Sequence, residues 1–146
     1  IFTRDGIGSL INSTEGVYYH EIDIKQPTGL GVQTIFKLTP ATGDFSTLYV
    51  SDTGNLIADF YPAGALVFSL DGGVISAGVH QIAIEYKAGA YKMYLNGSPV
   101  ATSPDATAIT QTLSKIELVN TVYGYRKMIQ IYDTTLTPTQ LAALTS

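Results

Sequence analysis

Two carboxylates, Glu21 and Asp23, have the residue type and spacing that come nearest to catalytic chemistry. They lie two positions apart in an alternating stretch, so a β-strand would place both side chains on one face of a sheet. Retaining glycosidases hold two carboxyl groups across the scissile bond, one as nucleophile and one as general acid. The positions that follow hold Lys25 and Gln26 instead of a further acid. We therefore predict that Tyr19, Glu21, Asp23 and Lys25 form a solvent-facing polar row, and that the protein is not an enzyme.

Histidine, cysteine and metal chemistry receive little support from the sequence. The chain has two histidines, His20 and His80, and no cysteine. Each histidine lies on the apolar side of an alternating run, so we expect buried, hydrogen-bonded structural residues and not a catalytic base or a zinc ligand. Asp44, Asp52 and Asp71 lie in predicted turns, where aspartate commonly bonds its own backbone.

Tyrosine is the residue type best suited to a binding role here, because the chain has ten tyrosines and no tryptophan. Sugar-binding sites combine aromatic faces with polar side chains on loops that a rigid scaffold presents. The segment 120–126 contains Asn120, Tyr123, Tyr125 and Arg126, and we predict it as the ligand-binding loop. Tyr61, beside a Pro-Ala-Gly turn, is the second candidate. The alternative for each ring is a half-buried cross-strand partner.

Composition and charge limit the choice of partners. The chain has 146 residues, with 8 basic against 12 acidic side chains and a formal net charge of -4. A nucleic acid would be repelled on average, and the apolar runs are too short to insert into a bilayer. We expect neither a nucleic acid nor a membrane as a partner. No cofactor is predicted, and a bound calcium ion stays open as an alternative. No linker or change of composition divides the chain, so residues 1–146 are predicted to form a single domain.

Alternating apolar and polar residues, separated by turns rich in Gly, Asn and Asp, predict an all-β protein. Strands are expected at residues 9–12, 17–25, 33–38, 47–51, 56–60, 65–69, 80–86, 91–95, 114–119 and 128–132. About ten strands imply two stacked antiparallel sheets. Ile82 and Ile84 should face the core and Glu85 should face solvent. Thr137-Pro138-Thr139-Gln140 has the spacing of a capping box and predicts a short C-terminal helix.

Two segments in the second half of the chain resemble a known superfamily. Val79 to Val100 forms two alternating runs around a Gly-containing loop and closes on Asn-Gly, and Ile129 to Leu141 follows it later in the chain. These segments resemble the hairpins and the last strand of laminin-G-like domains in the concanavalin A-like lectin/glucanase superfamily. The resemblance implies an antiparallel two-sheet jelly-roll sandwich.

The same resemblance implies two kinds of site, and the residues agree poorly with both. Laminarinase-type glycoside hydrolases of the superfamily carry E-x-D-x-E or E-x-D-x-x-E, and here the last acid is replaced by Lys25 or Gln26. Laminin-G relatives often hold a calcium ion at a loop edge. Asp44, Asp52 and Asp71 do not form a D-x-D-x-D-G run, so we interpret them as turn-capping residues and assign no metal ligand.

The resemblance extends to domains of phage tail and fibre proteins and of bacterial surface proteins. It therefore implies a non-catalytic carbohydrate-binding or adhesion module, extracellular or on a virion surface, that contacts a cell-surface glycan or another virion or surface protein. Two alternatives stay open. One is a structural or assembly domain of a virion protein that packs against its own copies as a homo-oligomer. The other is a glycoside hydrolase of the laminarinase type.

Overall fold

The computed structural model describes residues 2–4, 7–119 and 121–146, with residues 2–4 described by their backbone alone. Within these residues the chain forms eleven strands, one 3-10 helix (Gly8–Leu10) and one α-helix, α1 (Pro138–Leu144). The strands are β1 (Phe2–Arg4), β2 (Glu15–Ile24), β3 (Gln33–Pro40), β4 (Ser46–Val50), β5 (Asn55–Phe60), β6 (Phe68–Val74), β7 (Gly78–Lys87), β8 (Tyr91–Leu95), β9 (Ser98–Ser103), β10 (Leu113–Leu118) and β11 (Gly124–Tyr132).

The strands form two stacked antiparallel sheets. One sheet has six strands in the order β1-β10-β3-β4-β5-β6, and the other has five in the order β11-β2-β7-β8-β9. The fold class predicted from the sequence, an all-β two-sheet jelly-roll sandwich with a short C-terminal helix, is therefore confirmed. The helix begins as its sequence predicts: the Thr137 hydroxyl accepts a hydrogen bond from the Gln140 backbone, and the Gln140 side chain accepts one from the Thr137 backbone.

The core lies between the two sheets and follows the predicted alternation on the central strands. β2 and β7 pair over ten residues without a break in register, from Glu15 opposite Lys87 to Ile24 opposite Gly78. The predicted core residues of these strands, which are fully buried, are Ile22, Ile24, Ile82 and Ile84. A buried hydrogen bond of 2.7 Å between the Tyr18 and Ser46 hydroxyls joins β2 to β4 of the other sheet.

Several predicted strand boundaries are wrong. Residues 9–12 overlap the 3-10 helix, where the Leu10 amide bonds the Ile7 carbonyl. The strand predicted at 65–69 begins instead at Phe68 and continues to Val74, through a Gly-Gly pair that the sequence suggested was a turn. Position 72 requires glycine, because a Cβ there would lie only 2.6 Å from the sulfur of Met93. The sequence did not predict β9, because Ser98-Pro99 resembles a turn. Proline is tolerated there because β9 is an edge strand and Pro99 lies near its start.

The outer face of the five-stranded sheet is partly covered, contrary to the prediction of a solvent-facing row. Leu141 of α1 packs on this face in a second apolar cluster with Val17, Tyr19, Ala83 and Tyr94. Tyr19 is consequently only 3% exposed. The alternation of β2 is as predicted, but the helix that closes over one half of its outer face could not be located from the local pattern.

Glu85 is a further correction, because it is 1% exposed and not solvent-facing. Its carboxylate accepts a hydrogen bond of 2.9 Å from the Leu136 amide and lies 3.5 Å from the ammonium of Lys92. Glu15 accepts a hydrogen bond of 3.0 Å from the Thr135 amide, which lowers the pKa of this carboxyl. The two carboxylates thus hold the segment that leads into α1.

We expect Ile84→Ala to destabilise the protein by about 2–5 kcal/mol, because it leaves a cavity between the sheets. Glu85→Ala should cost about 1–3 kcal/mol, since it leaves the Leu136 amide without its acceptor. Glu85→Gln, which keeps an acceptor oxygen, is the matched control and should cost less than the alanine variant. Urea denaturation measures all three. A Glu85→Ala variant as stable as wild type would contradict the described attachment of residues 135–136.

Candidate functional site

The connections between strands gather at the two ends of the sandwich. Residues 25–32, 51–54, 75–77 and 121–123 meet at one end, which we call the tyrosine end. Three backbone hydrogen bonds join them there: Lys25 to Tyr123, Gly29 to Asp52 and Ile75 to Gly54. Strands of this length separate the tyrosine end from the opposite end by about 25 Å.

Tyr123 and Tyr125 are the aromatic residues exposed at the tyrosine end, with 59% and 67% of their surface accessible. Tyr123 is fixed by its backbone, because its amide donates to the Gln33 side chain at 2.9 Å and its carbonyl accepts from the Lys25 amide at 2.9 Å. Tyr125 lies in β11 opposite Asp23 and faces outward from the five-stranded sheet. The predicted loop is therefore shorter than expected, and Tyr125 is a strand residue.

Lys25 lies beside the Tyr125 ring and is bonded to the backbone of Tyr123. Its ammonium lies 5.5 Å from the centre of the Tyr125 ring and donates a hydrogen bond of 2.7 Å to the carboxylate of Asp23. The bond to Asp23 raises the pKa of Lys25, and the phenols of Tyr125 and Tyr123 add smaller contributions in the same direction. The sequence placed Lys25 and Asp23 in an outward-facing polar row but could not predict their contact with Tyr125, because that contact joins segments about a hundred residues apart.

The other two residues predicted for this loop do not join the rings. Arg126 faces inward, where its guanidinium donates a hydrogen bond of 2.8 Å to the Ile35 carbonyl and another to the Val119 carbonyl. Burial lowers the pKa of this guanidinium. The structure therefore uses Arg126 to join the ends of strands, and not as the surface hydrogen-bonding group that the sequence suggested. Asn120 lies outside the described residues.

Exposed apolar side chains also lie at the tyrosine end. Leu30, Val32, Val74 and Val79 are all exposed at the tyrosine end, between 46% and 70%. Val79 stands opposite Asp23, which in turn stands opposite Tyr125, so the three residues form one cross-strand row on the outer face of the five-stranded sheet. This end combines aromatic, aliphatic and ion-paired groups on an open surface.

Tyr61, the second predicted ligand residue, lies at the opposite end, directly after β5. It cannot share a site with Tyr123. Burial raises the pKa of Tyr61, with a smaller contribution from the charge of Asp59. Asp59 itself accepts hydrogen bonds from Ser69 at 2.5 Å and from Tyr49 at 3.5 Å, on the outer face of the six-stranded sheet. The polar groups near Tyr61 are thus bonded to one another.

The two histidines have structural surroundings. His80 bonds the Ser76 carbonyl at 2.7 Å through Nε2 and the Asn96 amide nitrogen at 3.1 Å through Nδ1, so Nε2 carries the proton and Nδ1 accepts. His20 is buried against Phe36, and burial lowers its pKa to about 3, with the charge of Arg126 as the smaller cause. Its Nε2 has no hydrogen-bond partner among the described residues, which differs from the expected bonded histidine.

The aspartates considered as calcium ligands bond backbone amides or a lysine. Among the described residues, no group of three or more histidine, aspartate or glutamate side chains could hold a metal ion. Asp52 accepts a hydrogen bond from the Gly31 amide and Asp71 from the Gly73 amide, whereas Asp44 pairs with Lys37 at the opposite end. In the described part of the chain, no helix is long and apolar enough to cross a membrane.

Glu21 and Asp23 lie on the same outer face, as the alternation predicts, but each faces a lysine. Glu21 lies 4.0 Å from Lys127, and Asp23 lies 2.7 Å from Lys25. Lys25 therefore stands beside the carboxylate where the glycosidase motif would supply another acid. Glu21 and Asp23 thus form ion pairs with lysines on the outer face of the five-stranded sheet.

Comparison with family models and with curated proteins gives no match, whereas solved structures match over nearly the whole chain. The carbohydrate-binding module CBM40 of the Ruminococcus gnavus IT-sialidase, bound to α2,6-sialyllactose, is similar over 99% of this chain and 98% of its own, with a TM-score of 0.73 and 16% identity. A SAP-like pentraxin from Limulus polyphemus is similar over 90% of this chain and 70% of its own, with a TM-score of 0.68 and 17% identity.

An intramolecular trans-sialidase from leech is similar over 92% of this chain but only 23% of its own, with a TM-score of 0.70 and 15% identity. At these identities the likeness shows the fold. It agrees with the jelly-roll sandwich implied by the sequence resemblance, and carbohydrate-binding modules are among the structures that share it.

The described contacts predict different effects on stability for neighbouring residues of β11. Arg126→Ala should lower the free energy of unfolding by about 2 kcal/mol or more, because it removes charged hydrogen bonds to two carbonyls. Tyr125→Ala, on the exposed face next to it, should stay within about 0.5 kcal/mol of wild type. Urea midpoints compare the two variants. Equal losses would show that the side chains of β11 do not alternate as described.

Proposed function

We propose that this protein is a non-catalytic carbohydrate-binding module whose binding surface is the tyrosine end. The observation that carries the proposal is the pair of exposed rings, Tyr123 and Tyr125, fixed next to Lys25 on a rigid sandwich. The likeness to a sialyllactose-bound carbohydrate-binding module supports the same class of function. We place the parent protein outside the cell, on a cell surface or a virion, with a cell-surface glycan as its partner.

Each group at the tyrosine end has a role in this proposal. The exposed faces of Tyr123 and Tyr125 would stack on the apolar C–H faces of sugar rings, which removes apolar area from water on both sides. The carboxylate of Asp23 and the ammonium of Lys25 would bond sugar hydroxyls at the edge of the platform. Because the backbone around Tyr123 is held by Gln33 and Lys25, binding would require little ordering of the loop.

Tyr61 stays a proposal of lower rank, because its polar neighbours already bond one another and it lies about 25 Å from the two rings. We leave Arg126 out of the binding surface, since its guanidinium is engaged by backbone carbonyls. We keep Asn120 as a hydrogen-bonding group beside the two rings, as the sequence suggested, because it lies three residues before Tyr123 in the chain.

A second candidate function is an assembly surface for further copies of this chain, as in a homo-oligomeric virion protein. The exposed aliphatic side chains of Leu30, Val32, Val74 and Val79 favour it, because apolar side chains exposed at one end of a fold can serve as a protein interface. Light scattering coupled to size exclusion separates the two functions. Self-association that Val32→Ser and Val74→Ser abolish, with no glycan binding, would favour assembly over our proposal.

The double variant Tyr123→Ala, Tyr125→Ala tests the proposed surface. We expect its glycan binding on an array to fall by about tenfold, since a contact with an aromatic face contributes about 0.5–1.5 kcal/mol per ring. Its melting temperature should stay near that of wild type, because both rings are exposed.

Tyr61→Ala is the matched control, since it removes a tyrosine from the opposite end, and it should bind as wild type does. Loss of binding in Tyr61→Ala with retention in the double variant would move the site to the opposite end and contradict the proposal.

A further inference from the structure

Every lysine of this protein is already paired with a carboxylate. The chain has eight basic residues, of which Arg4 and Arg126 are the arginines and the remaining six are lysines. Each lysine ammonium lies within 4.0 Å of an aspartate or glutamate oxygen, in the pairs Lys25–Asp23, Lys37–Asp44, Lys87–Glu15, Lys92–Glu85, Lys115–Glu117 and Lys127–Glu21. Six ion pairs therefore account for all the lysine charges.

The remaining described cation is also engaged. Arg126 donates from its guanidinium to the carbonyls of Ile35 and Val119, and it faces into the sandwich. The amides at the start of α1 are bonded by its own capping box. Four more acids than bases give the whole chain a formal net charge of -4. Among the described residues, the tyrosine end therefore holds no cation without an acceptor of its own.

We propose that the tyrosine end binds uncharged glycans in preference to sialylated ones. The inference rests on the proposed function and specifies the class of its ligand. It separates this chain from the sialyllactose-bound module that shares its fold, because that likeness is one of fold at 16% identity.

The chemistry of a sialic acid carboxylate explains the preference. An anion leaves water favourably when it gains charge-assisted hydrogen bonds from a cation. The ammonium closest to the Tyr125 ring is that of Lys25, which lies 2.7 Å from the carboxylate of Asp23. The hydrogen bond between them raises the pKa of Lys25. A ligand carboxylate placed there would share Lys25 with Asp23 and meet a like charge a few ångströms away.

A neutral sugar meets no such penalty. Its hydroxyl groups can donate to Asp23 and accept from Lys25 without disturbing the ion pair, because both groups keep hydrogen-bonding capacity beyond their mutual contact. Its C–H faces can stack on the uncharged rings of Tyr123 and Tyr125. The surface thus suits a polyhydroxylated, uncharged ligand.

A mammalian glycan array printed in duplicate, with one copy treated with sialidase, tests this preference across many candidate sugars at once. We expect the wild-type domain to bind the treated copy at least as strongly as the untreated copy. Binding should change little between low and high NaCl, because no net charge is exchanged. Binding lost on treatment, or weakened strongly by salt, would overturn the inference but leave the proposed carbohydrate binding intact. No binding to either copy would contradict the proposed function itself, and the inference with it.

The variant Asp23→Asn tests the role of the ion pair more directly, because it removes the negative charge that pairs with Lys25 and keeps the shape of the side chain. We expect the affinity for 3'-sialyllactose relative to lactose, measured by calorimetry, to rise by about two- to fivefold, as one partly exposed ion pair allows. Asp133→Asn is the matched control. It makes the same change in net charge at the opposite end and should leave the ratio unchanged. An equal ratio in wild type and in both variants would contradict the role of the Asp23–Lys25 pair.

Discussion

The uninterrupted ten-residue pairing of β2 with β7 is the constraint on which the rest of the structure depends. It sets which side chains of both strands face the core, and a shift of one residue would turn Ile84 outward and Glu85 inward. The same register puts Glu85 under the segment that leads into α1 and puts Asp23 between Tyr125 and Val79. Core, C-terminal attachment and candidate site therefore follow from one pairing.

Much of the fold could be predicted from the sequence because its signals are local. Alternation identified the central strands, and Thr137 with Gln140 identified the helix start with the correct capping bonds. The failures are tertiary effects. Tyr19 and Glu85 lie on the outward side of their strands, as predicted, but α1 and its leading segment cover them. No pattern within one strand reports what packs on its outer face.

The candidate site could be predicted only in part, for a similar reason. Exposed tyrosines near residues 123–125 followed from a loop rich in aromatic residues, and both rings are exposed in the structure. The partners of the Tyr125 ring come from β2 and the residue that follows it, about a hundred residues earlier. The sequence therefore indicated Asp23 and Lys25 as part of an outward-facing polar row but not their position beside Tyr125. Arg126 was predicted at the surface but faces the interior, because it directly follows the outward-facing Tyr125 and successive residues of a strand face opposite sides of the sheet.

The central claim, that glycan contacts the protein at the tyrosine end, is tested most directly by mapping the bound sugar on the backbone. A titration of the 15N-labelled domain with a neutral glycan that binds on the array, followed in 1H–15N correlation spectra, locates the contact by residue. We predict that the largest shifts occur at the amides of Lys25, Gln26, Tyr123 and Tyr125. Shifts confined to β4 and β5, around Tyr49, Asp59 and Tyr61, would contradict the claim.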